Sequence, residues 1–231
     1  MLTLDEIRID LDGFRLSADL SIPAGARVAL MGPSGAGKST LLSVIAGFLA
    51  PSRGRVLWQE TEITRTPPGA RPLSILFQDQ NLFPHLSVAR NLALGLNPKG
   101  KISGADQSRI ETALDRVGLA GLGARKPGQL SGGQQSRAAL ARALLRARPI
   151  LLLDEPFAAL GPALKAEMLA LVDEIAREQG TTVLMVSHDP EDARALCPQT
   201  VLVAEGRAHP PQDTARLLAE PPPALRAYLG G

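Results

Sequence analysis

Nine consecutive residues near the start of the chain have the types and spacing of a loop that binds phosphate groups. They fit the pattern G-x-x-x-x-G-K-[ST] and lie between an apolar run suited to a buried strand, 27–31, and one suited to a buried helix, 41–46. Glycines let the backbone turn tightly and approach a ligand, so that its N–H groups point at phosphate oxygens. The sequence therefore predicts a site for a nucleoside triphosphate formed by Gly32, Pro33, Ser34, Gly35, Ala36, Gly37, Lys38, Ser39 and Thr40.

Two carboxylates at the end of another apolar run would complete the chemistry of such a site. Asp154 and Glu155 directly follow the run 150–153, which reads as a buried strand. Ligands of α/β proteins bind where strands end, so we expect Asp154 and the Ser39 hydroxyl to bind Mg²⁺. Glu155 is expected to accept a proton from an attacking water. A strand that ends in two solvated acids is the alternative interpretation, which the upstream phosphate loop disfavours.

A second candidate for anion binding is the segment Leu130, Ser131, Gly132, Gly133 and Gln134. Its two glycines open a predicted helix and expose N–H groups, with Ser131 as the cap and as a hydroxyl donor. In isolation the segment would be interpreted as a helix cap with flexible glycines. The chain has one phosphate loop but two such helix starts, and a head-to-tail dimer would use both. Each Ser131 loop would then close on the ATP of the other subunit.

Composition limits the classes of function that remain. The chain has 231 residues, 45% of them hydrophobic, a net charge of +2 and only 3% aromatic residues. The absence of a dense basic patch with interleaved aromatics argues against nucleic acid as a partner. No apolar run approaches the ~18 residues of a membrane helix, and residues 1–12 do not resemble a signal peptide. A single cysteine, Cys197, excludes an internal disulfide and suits a reducing cytosol.

The order of apolar segments predicts an α/β protein with a mainly parallel sheet and helices on both faces. The predicted strands are 2–11, 16–22, 27–31, 55–58, 73–77, 150–153, 181–187 and 201–204. The segment 82–148 instead has helical spacing, ends in a helix at about 133–147, and is interpreted as a helical insert. A helix is also predicted at 191–196. The tail after Pro210 is expected to carry one helix and a proline-rich stretch.

With these motifs in place, the chain resembles the ATP-binding subunits of ABC transporters. The phosphate loop, the segment 130–134 and the Asp154-Glu155 pair match motifs of that family, and the resemblance covers nearly all 231 residues. It implies catalytic roles for two further residues. Gln78 would bind Mg²⁺, sense the γ-phosphate and link two lobes, while His188 would contact the γ-phosphate and support the catalytic water. Without the resemblance they would be a surface amide and a polar residue at a strand end.

The resemblance also implies the architecture. It is that of a P-loop NTPase, with a mainly parallel sheet core, an N-terminal antiparallel β region and a helical subdomain insert. The chain would be one domain, 1–231, with the core at about 1–78 and 149–231 and the helical subdomain at about 79–148. The activity implied is hydrolysis of ATP with Mg²⁺, coupled to transport across a membrane.

Partners and location follow from the same resemblance. It implies a homodimer at the cytoplasmic face of the bacterial inner membrane, held there by transmembrane permease subunits that dock near 82–86. A periplasmic substrate-binding protein would be an indirect partner. The segments 71–78, 81–88 and 91–98 are similar to those of thiamine importers, which implies thiamine or its phosphates as the solute. Nothing physical in the chain encodes that solute, because the ATPase does not touch it.

Other functions stay open at this level. An ATPase subunit for another solute, or for export, differs from this interpretation only by resemblance. A soluble ATPase acting on DNA or ribosomes is disfavoured, because no heptad run separates the phosphate loop from 130–134 and the chain has one nucleotide domain. A regulatory module without turnover is disfavoured by Glu155 and His188.

Two positions depart from the family pattern. Gly161 stands where the family normally has an Asp that couples the two ATP sites, so coupling or dimer closure is expected to differ. The family also stacks adenine on an aromatic residue ahead of the phosphate loop, where this chain has Leu11. Phe14 is the nearest aromatic residue, and we expect it to belong to the core because aromatic side chains favour burial. Adenine stacking is therefore expected to be weak.

Overall fold

A mixed β-sheet forms the centre of the protein. The computed structural model describes residues 1–11, 13–77, 82–97, 102–158 and 160–229. The strands are β1 (Leu2–Leu11), β2 (Phe14–Ile22), β3 (Arg27–Met31), β4 (Arg53–Trp58), β5 (Thr61–Glu62), β6 (Leu73–Leu76), β7 (Ile150–Asp154), β8 (Thr182–Val186), β9 (Gln199–Ala204), β10 (Arg207–Ala208) and β11 (Gln212–Asp213). Their order across the sheet is β5-β4-β1-β2-β10-β9-β3-β8-β7-β6, with β11 paired to β9.

Eight α-helices lie between the strands or follow the last of them in the described part of the chain. They are α1 (Lys38–Ala46), α2 (Val88–Leu96), α3 (Gly104–Arg116), α4 (Gly132–Leu145), α5 (Pro162–Gln179), α6 (Pro190–Leu196), α7 (Thr214–Ala219) and α8 (Pro223–Leu229). In the described part of the chain, no helix is both long and apolar enough to cross a membrane.

The parallel half of the sheet consists of β9, β3, β8, β7 and β6, each hydrogen-bonded in parallel to the next. β8 is buried along its whole length, as are the four leucine and isoleucine residues of β7. Near-continuous burial is typical of parallel strands that are covered on both faces. The N-terminal strands β1, β2, β4 and β5 pair antiparallel with one another. The predicted fold class, with its parallel core and antiparallel N-terminal region, is confirmed.

The helical insert has an apolar core of its own. α2, α3 and α4 bury one cluster against each other, which includes Val88, Leu92, Ile110, Leu114 and Ala138. The spacing of these residues along each helix places them on one face, so the three helices exclude water from a shared centre. This arrangement agrees with the helical subdomain expected from the sequence.

Several element boundaries differ from the sequence prediction by one or two residues, and the tail differs in its number of helices. α4 ends at Leu145 rather than near Ala147, whose φ of +48° cannot continue a right-handed helix. The tail holds two helices, α7 and α8, so the prediction of one helix followed by a proline-rich stretch was wrong. Pro223 is the first residue of α8, a position where a helix needs no N–H donor and proline fixes a suitable φ.

Candidate functional site

The predicted site residues in the parallel half of the sheet meet at its carboxyl edge. The phosphate loop follows β3, Asp154 ends β7, and His188 lies just after β8. β8 lies between β3 and β7 in the sheet, so all three ends are neighbours. Chain crossovers leave a crevice at such a point, where α/β proteins bind their ligands.

The backbone of the phosphate loop requires glycine at two places. A Cβ on Gly32, whose φ is +147°, would lie 1.9 Å from the carbonyl oxygen of Val203 in β9. Gly37 has a φ of +100° and precedes the first residue of α1, and a Cβ there would lie 2.4 Å from the ring of Phe14. A side chain at either position would therefore force the loop away from the sheet and from the start of α1.

Lys38 is folded back onto its own loop. Its ammonium Nζ donates hydrogen bonds to the carbonyl oxygens of Gly32, at 2.8 Å, and Pro33, at 2.9 Å. Burial lowers the pKa of Lys38, although the negative charges of Glu155 and Asp154 act in the opposite direction. A buried cation held by neutral carbonyls gains from a nearby anion, so phosphate oxygens would be favoured partners for this group.

Ser39 and Asp154 supply two oxygens of the kind that Mg²⁺ prefers. The Ser39 hydroxyl donates a hydrogen bond of 2.9 Å to Oδ1 of Asp154. Burial is the main cause that raises the pKa of Asp154; the charge of Glu155 adds to it, and the bond from Ser39 and the charge of Lys38 oppose it. A carboxylate that is costly to ionise gains from a divalent cation, and Mg²⁺ binds proteins through one or two such ligands. The pair therefore fits Mg²⁺.

Glu155 and His188 face each other across the ends of β7 and β8. Oε2 of Glu155 lies 3.3 Å from Nδ1 of His188. The backbone of Glu155 has a φ of +46°, rare for a residue with a side chain, and its N–H donates to the carbonyl oxygen of Val186 at 3.1 Å. Such backbone geometry costs free energy and is concentrated at functional sites. The two groups can share a water molecule, which is the arrangement that general base chemistry needs.

Arg71 fixes the far end of α1. Its side chain is only 1% exposed and donates to the carbonyl oxygens of Val44 and Ile45, in the last turn of α1, at 2.8 and 2.7 Å. It also donates to the carbonyl oxygens of Thr64 and Thr66. The last carbonyls of a helix have no partner within the helix, so one guanidinium satisfies them and joins α1 to the 64–71 loop.

Tyr228 of α8 lies over the site, and sequence reasoning missed it. Its ring centroid is 5.8 Å from Nζ of Lys38, and its hydroxyl donates to the backbone carbonyl oxygen of His188 at 3.0 Å. Burial is the main cause that raises the pKa of this phenol, and the negative charges of Glu155 and Asp189 add to it. No sequence pattern indicates these contacts, because α8 is short and belongs to no motif.

The segment 130–134 forms the predicted helix cap. The Ser131 side chain accepts a hydrogen bond from the N–H of Gln134, and the Gln134 side chain accepts one from the N–H of Ser131. This reciprocal arrangement is a capping box. The N–H of Leu130 donates to the carbonyl oxygen of Pro127; the other hydrogen bonds described for the segment stay within this cap and its helix, and none of them runs to the phosphate loop. The segment also packs closely on α5, since a Cβ on Gly133 would lie 2.5 Å from Cδ2 of Leu164.

The remaining predicted positions have different outcomes. Gln78 lies outside the described residues, so its catalytic and Mg²⁺ roles stay predictions. Gly161 is the N-cap of α5 and caps it with no side-chain hydrogen bond. Phe14 is partly buried and packs against the main core, as expected, while its ring also covers Gly37. Leu11 is 45% exposed, so the position where the family has an adenine-stacking aromatic holds an exposed aliphatic side chain.

Comparison with protein families gives a match to the part of the chain that holds these motifs. The sequence model described as ABC transporter matches residues 16–158, a range that includes the phosphate loop, the segment 130–134 and the Asp154-Glu155 pair. The chain is 66% identical over 230 residues to the thiamine import ATP-binding protein ThiQ of Cereibacter sphaeroides, covering 100% of both chains. It is 58% identical over 230 residues to the protein of the same name in Ruegeria sp., again with 100% of both covered.

Solved structures give the same result. A dimeric ATP-binding cassette in a post-hydrolysis state with bound ADP and Pi is 31% identical, with a TM-score of 0.80 and coverage of 93% of this chain and 99% of that one. The cbiO1 protein of Clostridium perfringens, part of the ABC transporter complex cbiONQ, is 29% identical. Its TM-score is 0.82, and the match covers 95% of this chain and 90% of that one.

Proposed function

The chain belongs to the ABC transporter family, and we propose that it is the ATP-hydrolysing subunit of a bacterial importer of thiamine or its phosphates. The observation that carries the ATPase assignment is the convergence of Ser39, Asp154, Glu155 and His188 at the carboxyl ends of adjacent strands. The solute is supported by relatives that are named thiamine import ATP-binding proteins and match over the full length.

Nucleotide binding would exchange one set of partners of Lys38 for another. The phosphate loop offers backbone N–H groups and the positive end of α1 to the phosphates. Lys38 then leaves the carbonyls of Gly32 and Pro33 for the β- and γ-phosphate oxygens. This exchange replaces neutral acceptors by charged ones, which makes stronger hydrogen bonds.

Ser39, Asp154 and, as the resemblance implies, Gln78 would hold the Mg²⁺ that accompanies ATP. When bound, the cation neutralises charge on the phosphate oxygens. Asp154 is suited to this role because burial disfavours its negative charge in the free protein. A bound cation would stabilise that charge and so offset the cost of burying it.

Glu155 would take the proton of the attacking water, with His188 beside it to orient the water and contact the γ-phosphate. Their separation of 3.3 Å allows a water molecule to bond to both. A small cavity of about 30 Å³ next to the pair, lined by both side chains, is large enough for one water. Phosphoryl transfer depends mainly on such positioning and on charge stabilisation.

The segment 130–134 would complete the site of a second copy. It caps α4 with exposed N–H groups, and its described hydrogen bonds leave the phosphate loop of its own chain untouched. A homodimer in head-to-tail arrangement would use both anion sites, and the cassette related to this chain was solved as a dimer. ATP would favour the closed dimer because its γ-phosphate binds both subunits only in that state.

Permease subunits would hold the protein at the cytoplasmic face of the membrane and dock near 82–86. Phe83 is 46% exposed beside a groove of about 280 Å³, which lies between β6 and the helices α2 and α4. The buried Asn91 fixes this loop: its Oδ1 accepts from the N–H of Phe83, and its Nδ2 donates to the carbonyls of Phe83, Leu86 and Ser87. An exposed aromatic side chain on a rigid loop is a suitable anchor for a protein partner. A periplasmic substrate-binding protein would act through the permease.

Replacing Glu155 by Gln tests the ATPase assignment. The amide keeps the shape of the side chain but cannot accept the proton, so we expect ATP binding to persist, steady hydrolysis to fall by at least about 100-fold, and a closed dimer to accumulate in size-exclusion chromatography. Glu62→Gln, on the exposed strand β5, is the matched control and should hydrolyse ATP like the wild type. A Glu155→Gln variant that remains monomeric and fully active contradicts the assignment.

Transport of labelled thiamine tests the solute. Cells that lack this chain should lose uptake, and the wild-type chain, but not Glu155→Gln, should restore it. Purification from the native membrane should recover a permease with the wild-type chain. Thiamine uptake that continues without this chain contradicts the solute, while the ATPase assignment is judged by hydrolysis alone.

A further inference from the structure

A group of charges beside His188 has no part in the chemistry described so far. Nζ of Lys165, in the first turn of α5, binds the carboxylate of Asp189 and lies 2.8 Å from Oδ1 of Asp192. Asp189 directly follows His188 in the chain, and Ser187 directly precedes it. The hydroxyl of Ser187 donates a hydrogen bond of 2.7 Å to the carboxylate of Asp192. Both chain neighbours of His188 are therefore connected to one ammonium group.

This charge cluster is sheltered from water. The side chains of Lys165, Asp189 and Asp192 are 21%, 33% and 13% exposed. Burial lowers the pKa of Lys165, but the hydrogen bonds and charges of the two aspartates outweigh that effect and raise it. The lysine is thus held as a cation by two partners at once, a stiffer connection than an exposed ion pair makes.

The element that carries Lys165 is itself fixed. The neighbouring side chain, Leu164, packs so closely on α4 that a Cβ on Gly133 would lie 2.5 Å from its Cδ2. The same turn of α5 therefore contacts the segment proposed to reach the partner's ATP and the loop that holds His188. Lys165 also lines the small cavity that Glu155 and His188 share.

We propose that Lys165 is a positioning residue for ATP hydrolysis. It holds the two neighbours of His188 against the first turn of α5 and thereby keeps the imidazole at its distance from Glu155. It does this without contacting ATP itself. The proposal rests on the proposed ATPase function, and it explains why a half-buried lysine stands between two aspartates at this point of the fold.

The test compares Lys165→Met with Lys165→Arg in the full-length protein. The methionine fills similar space without the charge, so we expect kcat for ATP to fall by about tenfold or more, with the KM for ATP changed less than about twofold. Arginine keeps the charge and should recover most of kcat. Arg177→Met, which removes an exposed guanidinium paired with Asp173 further along α5 and leaves Asp173 its pair with Arg27, should match the wild type.

A second variant covers the case in which Lys165→Met does not fold. Asp189→Asn keeps the side-chain oxygen that accepts from the N–H of Glu191 and caps α6, but loses the charge that Lys165 binds. It should show the same loss of kcat at unchanged KM. The proposal is overturned if either variant folds and keeps the wild-type kcat. It is also overturned if kcat, KM and the melting temperature all change together, because that would indicate a general structural role. Wild-type turnover that survives Glu155→Gln contradicts the ATPase function first and removes the basis of the proposal.

Discussion

The hydroxyl of Ser39 and the carboxylate of Asp154 share a hydrogen bond of 2.9 Å across 115 residues of chain. One group belongs to the first turn of α1 and the other to the last residue of β7. A cation that binds both oxygens would only have to displace this hydrogen bond, with the hydroxyl keeping its proton and offering a lone pair, because both groups already lie at the same crevice. Under the proposed function, the free protein would therefore be preorganised for Mg²⁺.

The pH dependence of stability tests the state of Asp154. Its pKa is raised in the folded protein, chiefly by burial, so folding favours the protonated form. Stability from this group is present at low pH and is lost as the pH rises through the raised pKa. Asp154→Asn removes that loss, and we expect a higher melting temperature than the wild type at pH 7 without nucleotide. The difference should vanish near the ordinary carboxyl pKa of 3.8.

Thermal denaturation between pH 3.5 and pH 8 measures this effect, with the exposed Asp19→Asn as the control. The added stability that Mg²⁺ and ATP give the wild type should be largely lost in Asp154→Asn, because the amide is a poor ligand for Mg²⁺. A variant that melts below the wild type at pH 7 would show that ionised Asp154 stabilises the free protein, contrary to this account.

The unusual N-cap of α5 predicts opposite effects for two substitutions at one position. A Cβ on Gly161 meets no atom within 4 Å, and the helix has no side-chain cap. An Asp side chain at this position can accept hydrogen bonds from the first N–H groups of α5, and its negative charge is stabilised by the positive end of the helix dipole. Gly161→Asp should therefore raise the free energy of unfolding by about 0.5 kcal/mol. Gly161→Ala should lower it by a similar amount, because alanine is the poorer cap.

Differential scanning fluorimetry checks both directions, with shifts of roughly 1–2 °C expected. The resemblance to the family implies that an Asp at this position couples the two ATP sites. The Hill coefficient for ATP hydrolysis should therefore also rise in Gly161→Asp. Equal melting temperatures of the two variants would refute the capping argument, and an unchanged Hill coefficient would refute the coupling argument alone.

Tyr228 predicts a variant that binds nucleotide more tightly. Its ring lies against Lys38 and its hydroxyl bonds to the His188 carbonyl in the free protein. ATP has to draw Lys38 away from this arrangement, so Tyr228→Ala should lower the Kd for ATP by about two- to fivefold. Tyr228→Phe keeps the ring but loses the hydroxyl, so its Kd for ATP should lie between those of the wild type and Tyr228→Ala. Titration with a fluorescent ATP analogue measures the change, and weaker binding by Tyr228→Ala would indicate that the ring contacts the nucleotide.

Asn91 predicts loss of permease docking without loss of ATP binding. Asp has the same shape, but its carboxylate cannot donate to the three carbonyls that the Asn91 amide now satisfies. Asn91→Asp should cost about 1–3 kcal/mol of stability at pH 7 and loosen the loop that carries Phe83. Co-purification with the permease should fall while the Kd for ATP stays the same. Thr112→Ala, on the exposed face of α3, is the control.

Local patterns allowed much of the site to be predicted. The phosphate loop, the acidic pair at Asp154 and the Ser131 cap each depend on a few consecutive residues. The types and order of those residues indicate their chemistry even when the fold is unknown. The sequence predicts α4 well for the same reason, apart from its last turn, where Ala147 leaves the helical region.

Contacts that depend on how elements cross could not be predicted. Lys165 meets Asp189 only because α5 packs beside α6, and no periodicity marks that pair. The hydrogen bonds of Arg71 run to carbonyls that every residue possesses, so no residue type signals them. α8 was missed because a short helix that opens with prolines looks like a loop in sequence.

The buried guanidinium of Arg71 has a consequence for how the protein responds to salt. Exposed ion pairs such as Arg55–Asp5 weaken as dissolved ions screen them. The bonds of Arg71 join a cation to uncharged carbonyls in the interior, where dissolved ions do not reach. The hydrogen bonds between Arg71 and the last turn of α1 should therefore depend little on ionic strength, and α1 should stay joined to the 64–71 loop at salt concentrations that weaken exposed ion pairs.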